Sequence, residues 1–593
     1  MHVCSPLSRR LAHSSAKSTF QSPTHLRLRH PVRAQVSRPL HPSPAHLALS
    51  HPPARSLSTF LPLKEPKEAA SFWTVTFSLL LICGGSWLHD KYRNSRDDSL
   101  LQNDDDGPSD SNPSEESFLG VLDTFRGMTN AEAAPGTVGN LTPEQEAKLQ
   151  ELWILLCKVC GIKLNGLEET ETEASGSRPG SSQDKKQQPK RRWTLWGGKD
   201  DDASDSASVK SGKGISTSLS AINLDGDDKH GQSKEFQQAL DDMTPEEIRV
   251  TVWNMVKQDN PDSLLLRFLR ARKWDVHKAL IMFISTIRWR LHDVKVDDDI
   301  MRGGEQLAYE QTKSADAAER KKGEDFLTQM RLGKSFLHGV DKQGRPICTV
   351  RVRLHRANEQ STESLDRFTV YTIETARMML VPPVETACIV FDMSNFSLAN
   401  MDYHPVNFMI KCFEANYPES LGVVLIHKAP WIFSGIWNII KGWLDPVVAS
   451  KVHFTKSYQD LEKFINKDQI WTELEGKEDW EYKYVEVKPD ENKLMEDTAK
   501  RDAMIAERQE LAKEIEAATV EWILASRKKD QAATQAAVEK RAGLTDRLRA
   551  QYWELDPYIR ARSLYDRVNI IQGGGKVNFY PEEAKNPSSK NKA

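Results

Sequence analysis

Three short apolar runs, Ile347–Leu354, Ala387–Met393 and Gly422–His427, alternate with two stretches of helical periodicity, about Ser364–Leu380 and Asp402–Ala415. Strand, helix, strand, helix, strand is the pattern of a parallel sheet with crossover helices. Cys388-Ile389-Val390-Phe391 is continuously apolar, as expected of a strand covered on both faces.

Upstream of this alternation the signals are helical. Thr244-Pro245-Glu246-Glu247 is a capping box with proline at the first helical position, and Asp259-Asn260-Pro261-Asp262 marks a turn and a second helix start. Leu264, Leu265, Phe268 and Leu269 then form an apolar face, with Arg267, Arg270, Arg272 and Lys273 between them, and another helix follows from Val276 to Leu291. The predicted fold class is therefore α/β, mostly parallel, preceded by an all-α bundle. The bundle is assigned to residues 241–325 and the α/β domain to 326–486.

The flanks are read from composition. Residues 1–64 hold seven Arg, two Lys and no acidic residue, the composition of a mitochondrial transit peptide or of a disordered basic tail. Arg55-Ser56-Leu57-Ser58 resembles a matrix-processing site, cut after Leu57. Ala69 to Leu88 is twenty residues without a charge, with Trp73 and Trp87 near its ends. At 1.5 Å per residue it is long enough to span a bilayer as one helix. Similar numbers of basic residues on the two sides leave its orientation open. Met128 offers a second start, so translation of the extension is a separate question. Residues 89–140 read as a polar linker, and 141–163 as a short helical module opened by the capping box Thr142-Pro143-Glu144-Gln145. Residues 166–240 are too polar to offset the cost of ordering and read as a disordered linker; Lys190-Arg191-Arg192-Trp193 within it is either a solvated patch or a contact for an anionic membrane. Residues 487–572 carry alternating charges with recurring apolars (Leu494, Ile505, Leu511, Ile515, Val520, Ile523). They predict long helices, with a coiled coil, a packing arm and a partner-binding helix as alternatives. Residues 573–593 read as a disordered end.

The net charge of −3 supplies no field favouring nucleic acid. Seven cysteines, at 4, 83, 157, 160, 348, 388 and 412, are too sparse for a disulfide framework. Cys157 and Cys160 form a C-x-x-C, but no second Cys or His pair stands at zinc spacing, and both fall in a helical pattern. Gly333-Lys334-Ser335 has the end of a P-loop, yet Thr328 stands where its first glycine belongs. Asp402 and His404 could serve acid–base work; with no nucleophile motif beside them, capping of a turn is the favoured reading. No catalytic residue and no metal is assigned.

One segment can be read either as an ordinary core helix or as a helix facing lipid. In residues 430–446, Trp431, Ile432, Phe433, Ile436, Trp437, Ile439, Ile440, Trp443 and Leu444 cover nearly every face of a helix. A helix apolar all round is either buried or facing lipid, and this one is too short and too interrupted by Gly435 and Gly442 to span a bilayer well. Three tryptophans suit a membrane interface or the wall of an apolar cavity.

Several motifs, in the same order along the chain, resemble the CRAL-TRIO (SEC-fourteen-like) phosphatidylinositol transfer family over about residues 240–486. They are the run Leu264–Val276, Asp341-Lys342-Gln343-Gly344-Arg345-Pro346, Tyr417-Pro418-Glu419, Asp445 to Lys451, and Glu478-Asp479-Trp480-Glu481-Tyr482. The long helical tail is similar to that of a fungal-type subgroup. The resemblance implies a CRAL-TRIO fold enclosing a phospholipid cavity, with residues 430–446 as its mobile gate helix: Trp431, Phe433, Ile436, Trp437, Ile440, Trp443 and Leu444. It implies a headgroup site at Arg272, Lys273, Glu419 and Lys451, in which Arg272 and Lys451 meet phosphate and Glu419 accepts from inositol hydroxyls. Two hydroxyls of the family are missing, with Ala387 and Val448 in their places, which puts a second ligand such as phosphatidylcholine in doubt.

The expected function is binding and transfer of a phospholipid, phosphatidylinositol first, through a gated apolar cavity. The alternative is a membrane-tethered, lipid-sensing adaptor; an enzyme with an unrecognised site is a weaker one. Exposing about 30 lipid methylenes to water costs on the order of 20 kcal/mol, which an apolar cavity beside the bilayer lowers. The expected ligand is a bound phospholipid, with no cofactor. The expected partners are phospholipid and the membrane surface, with a protein partner open for the C-terminal helices and no nucleic acid. The expected location is the mitochondrial inner membrane if the extension is translated, otherwise cytoplasm with peripheral membrane contact.

Overall fold

The computed structural model describes residues 133–164 and 228–581. The presequence-like tail 1–64, the candidate span 69–88 and the basic cluster at 190–193 lie outside the described residues. Among the described residues no helix is long and apolar enough to cross a membrane.

Five helices build the N-terminal bundle: α1 Pro143–Val159, α2 Gln232–Asp242, α3 Pro245–Val256, α4 Pro261–Ala271 and α5 Val276–Arg288. The capping boxes at Thr142 and Thr244 form as predicted, with both reciprocal hydrogen bonds. Two expectations change here. The 141–163 segment is not a separate module, because Leu149, Leu152, Trp153 and Leu156 of α1 share one core with Leu265, Phe268 and Phe283 of α4 and α5. Order also resumes before the end of the stretch read as a disordered linker, since α2 starts at Gln232. Its sequence is polar, and only Gln232, Phe236 and Ala239 are buried, too few to produce a visible apolar stripe.

The chain leaves α5 through two π-helical turns, Trp289–Asp293 and Val296–Met301, and continues in α6 Arg302–Thr312 and α7 Ala317–Leu332. It then enters the sheet with β1 Ser335–Val340 and β2 Pro346–Arg351. After these come α8 Thr362–Met378, β3 Ala387–Asp392, α9 Tyr403–Lys411, β4 Leu421–His427, α10 Phe433–Trp443, α11 Pro446–Ser450 and β5 Val452–Thr455. The order across the sheet is β1-β2-β3-β4-β5, antiparallel between β1 and β2 and parallel elsewhere. The crossover helices α8, α9 and α10 between these sequentially ordered parallel strands lie on one face, where all three line one cavity. The two edge strands were not legible in the sequence. β1 is interrupted by Gly339 at φ 66°, and β5 reads Val-His-Phe-Thr with two exposed residues.

Register explains the double apolar face. Cys348, Ile389 and Val424 stand side by side across β2, β3 and β4, as do Val350, Phe391 and Ile426. These two rows face α8–α10. The alternate residues Ile347, Cys388, Val390, Val423 and Leu425 pack on the opposite side against Leu461, Ile465, Ile470 and Trp471.

Gly333 ends α7 in the left-handed conformation at φ 59°, where a Cβ would come within 2.4 Å of the Tyr482 ring. The Gly-Lys-Ser sequence is thus a helix cap leading into β1.

The C-terminal region is two long helices, α12 Thr498–Arg527 and α13 Gln531–Ile559. They are part of the fold. Leu511, Ile515, Ile523, Leu544 and Leu548 join the core of the N-terminal bundle, so their apolar side is used within the chain. Nor is the segment after 573 wholly disordered: Ile571 bridges Val577, and Phe579 is buried.

A buried ionic knot joins bundle to sheet. Arg290, 1% exposed, donates to both Asp297 (2.6 and 2.8 Å) and Glu374 (2.7 and 3.1 Å). Arg377 and Lys257 also reach Glu374, at 3.1 and 3.5 Å. Burial alone would raise the Glu374 carboxyl, but the three cations hold it well below its ordinary value. Its stabilisation is therefore complete above the ordinary carboxylate pKa of about 4.3 and is lost only as pH falls through the depressed folded value. Arg290→Leu leaves the buried Glu374 and the partly buried Asp297 carboxylates short of a partner. The expected loss is about 3–5 kcal/mol, read as a lower urea midpoint of the full chain at pH 7; an unchanged midpoint contradicts the role given to the knot.

Candidate functional site

An apolar cavity lies between the helix-side face of the sheet and α8, α9 and α10, with about 1590 Å³ of atom-free space including its opening. The sheet contributes Cys348, Val350, Ile389, Phe391, Val424 and Ile426, the two rows that register sets side by side. Such a void persists without collapse because its walls are fixed by the sheet ladder and by helices packed elsewhere.

The gate residues predicted from the sequence are sorted by the structure. Phe433, Trp437, Ile440 and Leu444 line the cavity. Ile436 is buried with Phe433 and Ile440 in a small cluster that includes Met393, Ile410 and Ile426. Trp443 is half-buried and stacks edge-on to Tyr403, with centroids 5.5 Å apart. Trp431 precedes the helix and is 86% exposed. The helix is therefore not uniformly buried: Ile439 is also on the outside. A Cβ at Gly435 or Gly442 would meet nothing within 4 Å, so neither glycine is there for close packing. Each instead weakens the helix by about 1 kcal/mol relative to alanine.

Of the four headgroup candidates, the structure joins two. Lys451 Nζ donates to Glu419 Oε2 at 3.3 Å, with both side chains partly exposed. Glu419 has φ 53°, a left-handed conformation costly for a non-glycine residue and held here by its surroundings. Tyr417, two residues earlier, donates from its hydroxyl to Glu374 Oε1 at 2.8 Å and packs edge-on to Trp289. Arg272 ends α4 and donates to the side chain of Gln232. Gln232 in turn donates to the Ala415 carbonyl at 3.3 Å, four residues before Glu419. Arg272 thus reaches this segment through Gln232, a residue that carried no signal in a polar stretch. Lys273 stands in an exposed turn at φ 53°, and no described contact joins it to the Glu419–Lys451 pair. Val448 lines the cavity, whereas Ala387 opens β3.

Two other groupings escaped sequence reasoning. Glu414 ties down the C-terminal end of α10. Its Oε1 accepts from the Asp445 backbone N–H at 2.6 Å, and its Oε2 takes Lys229 at 2.6 Å and His230 at 2.9 Å. Lys229 also donates to the Trp443 carbonyl. Burial would raise the Glu414 carboxyl, but the hydrogen bonds from His230, Lys229 and the Asp445 N–H hold it below its ordinary value. In the cavity wall, Lys334, His355 and Asp402 form a polar chain. Asp402 caps α9 by accepting from the His404 N–H at 3.0 Å, as its sequence position suggested.

Cys157, Cys160, Cys348, Cys388 and Cys412 are free and buried, and burial pushes the Cys157 thiol up to about 12. Such thiols are inert. Among the described residues no set of three His, Cys, Asp or Glu side chains could hold a metal ion.

Two family models match, the CRAL/TRIO N-terminal domain over residues 232–285 and the CRAL/TRIO domain over residues 330–476. A CRAL-TRIO domain-containing protein of Schizosaccharomyces pombe is 40% identical over 74% of this chain and 92% of its own length. The phosphatidylinositol transfer protein CSR1 of Eremothecium gossypii is 40% identical over 73% of this chain and 98% of its own. The Sec14 cytosolic factor of S. pombe is 28% identical over 33% of this chain and 67% of its own.

Glu414→Ala removes the acceptor shared by Lys229, His230 and the Asp445 N–H. Amide exchange at 434–445 is expected to accelerate at pH 7 while α4 and α5 keep wild-type protection. Because the carboxyl is depressed, the wild-type tie is complete above about pH 4.3 and loosens as pH falls through the folded value. Unchanged exchange at 434–445 in the variant rules out the tie.

Proposed function

The chain belongs to the CRAL/TRIO domain family, and we propose on that footing that it binds a phospholipid, phosphatidylinositol first, and transfers it between membranes by opening α10. The observation that carries this reading is one helix with two environments. Phe433, Trp437, Ile440 and Leu444 face an apolar cavity, while Trp431 and Ile439 stand exposed on the other side. Val447 and Phe454 extend the exposed apolar set, and Phe454 touches Trp437 with centroids 5.4 Å apart. An exposed apolar set on the outer side of a cavity wall fits a bilayer interface, where an indole is at home.

The mechanism follows from that geometry. Docking at the membrane lets Trp431 and Ile439 enter the interface. α10 is held mainly by a small cluster with Met393, Ile410 and Ile426, apart from the main core, so its displacement leaves the sheet intact. Acyl chains pass from the bilayer into the cavity without crossing water, which removes most of the desorption barrier, on the order of 20 kcal/mol for about 30 methylenes. The Lys451 ammonium pairs with phosphate and Glu419 accepts from inositol hydroxyls; their mutual ion pair keeps the site neutral when empty. Arg272, oriented by Gln232, supplies a further cation. The CSR1 relative is described as a phosphatidylinositol transfer protein, which supports this choice of lipid.

Lipid carried by the purified full chain is to be identified by mass spectrometry, wild type beside Lys451→Ala. Phosphatidylinositol in the wild type and its selective loss in the variant are expected; a wild type without phospholipid contradicts the reading. Gly435→Ala with Gly442→Ala stiffens α10 by about 1 kcal/mol per site. That slows vesicle-to-vesicle transfer several-fold at nearly unchanged lipid occupancy, and an unaltered rate argues against α10 as the gate.

A further inference from the structure

The wall of the cavity holds a cation that the headgroup site does not use. Lys334, first residue after the α7 cap, is 5% exposed and lines the cavity. Its Nζ donates to Gln360 Oε1 at 2.5 Å and lies 3.4 Å from His355 Nδ1. No described carboxylate comes within ion-pairing distance of it. An ammonium has three donors, and neither of these partners carries a full negative charge. The other cation in the wall, Arg351, is already matched by Glu473.

The surroundings fix the polarity. His355 Nε2 lies 3.3 Å from Asp402 Oδ2, so a neutral imidazole donates there and accepts from Lys334 at Nδ1. Burial and the Lys334 charge both lower the His355 pKa, favouring that neutral form. Burial likewise brings the Lys334 ammonium down to about 8, against the attraction of Glu359, Asp325 and Asp402 at longer range. Asp325 is engaged with Lys321 at 2.7 Å and with the Ser361 N–H at 2.9 Å. Next to this cluster the lining is apolar, with Leu365, Phe368, Phe396 and Met401 among its members. A buried cation beside an apolar void, lacking a carboxylate of its own, is completed by an anion carried on an apolar chain.

We propose that Lys334, with His355 and Gln360, forms a second polar subsite inside the cavity that takes the anionic oxygen group of a chain-bearing ligand, a carboxylate or a phosphate. The subsite is distinct from the Glu419–Lys451 pair, and the proposal rests on the reading of the cavity as a lipid site. It supplies, by a different route, polar recognition within the cavity, where Val448 offers no hydroxyl. Phosphatidylinositol is not required to use it; a single-chain acid can occupy it alone.

The test measures binding to the full-length chain at pH 7. The probes are a fluorescent polyene fatty acid, its methyl ester, and an unlabelled lysophosphatidic acid as competitor. The wild type is expected to bind the acid roughly tenfold or more tighter than the ester, as a charge-assisted hydrogen bond warrants. Lys334→Met abolishes that preference, and Lys334→Arg retains most of it. In the wild type the preference fades as pH rises through about 8, where Lys334 loses its proton; this arm needs no variant and stands even if Lys334→Met fails to fold. Competition by lysophosphatidic acid that depends on Lys334 identifies phosphate as an acceptable group; its failure restricts the subsite to carboxylates. Equal binding of acid and ester by the wild type, or a preference that survives in folded Lys334→Met, overturns the proposal. If that happens while phosphatidylinositol is still carried and still lost in Lys451→Ala, only the subsite falls. If the wild type binds neither probe nor phospholipid, the cavity reading falls with it.

Discussion

The pairing of Arg290 with Glu374 is the constraint on which the rest of the structure depends. It joins the turn leaving the helical bundle to the crossover helix α8, in a place where neither charge has water to fall back on. Tyr417 donates to the same carboxylate, so the segment leading to Glu419 is referenced to the knot and not to solvent. A buried ion pair of this kind adds little net stability over an apolar replacement, but losing one partner is severe. Its value here is positional: the bundle, the crossover helix and the segment Tyr417–Glu419 share one anchor.

A second anchor works the same way at the other end. Glu305, fully buried, accepts from Tyr371, from Tyr484 and from the Leu564 N–H, and pairs with Arg567. This ties the end of the chain to α6 and α8, and α12 and α13 complete the bundle core. The cavity is thus surrounded by elements fixed from outside it. α10 is the exception, held by a small cluster and by the Glu414 tie. The proposed opening of α10 draws on this contrast between a fixed frame and one lightly held wall.

Much of the fold was legible in the sequence because periodicity reports burial. The three central strands, the crossover helices, both proline capping boxes and the apolar helix at 433–443 all announced themselves through local pattern. Two edge strands did not. β1 carries a left-handed glycine and β5 exposes His453 and Phe454, so neither shows a continuous apolar run. Helix α2 was lost in a polar stretch because three buried residues sufficed to seat it. Of the headgroup candidates, Glu419 and Lys451 were found through resemblance and prove to be in contact, whereas Lys273 does not join them.

The sequence by itself determined the α/β class, the order of the elements and the presence of one helix apolar enough to wall a cavity. These follow from propensity and spacing over a few turns, which any short window of the chain contains. Only the tertiary structure decided which faces of that helix meet the cavity, that Gln232 holds Arg272, that the C-terminal helices complete the core, and that Lys334 stands buried with no carboxylate among the described residues within ion-pairing distance. Each of these depends on groups tens to hundreds of residues apart being brought within hydrogen-bond or packing distance. A charge acquires its meaning from what surrounds it after folding, and no local pattern records those surroundings.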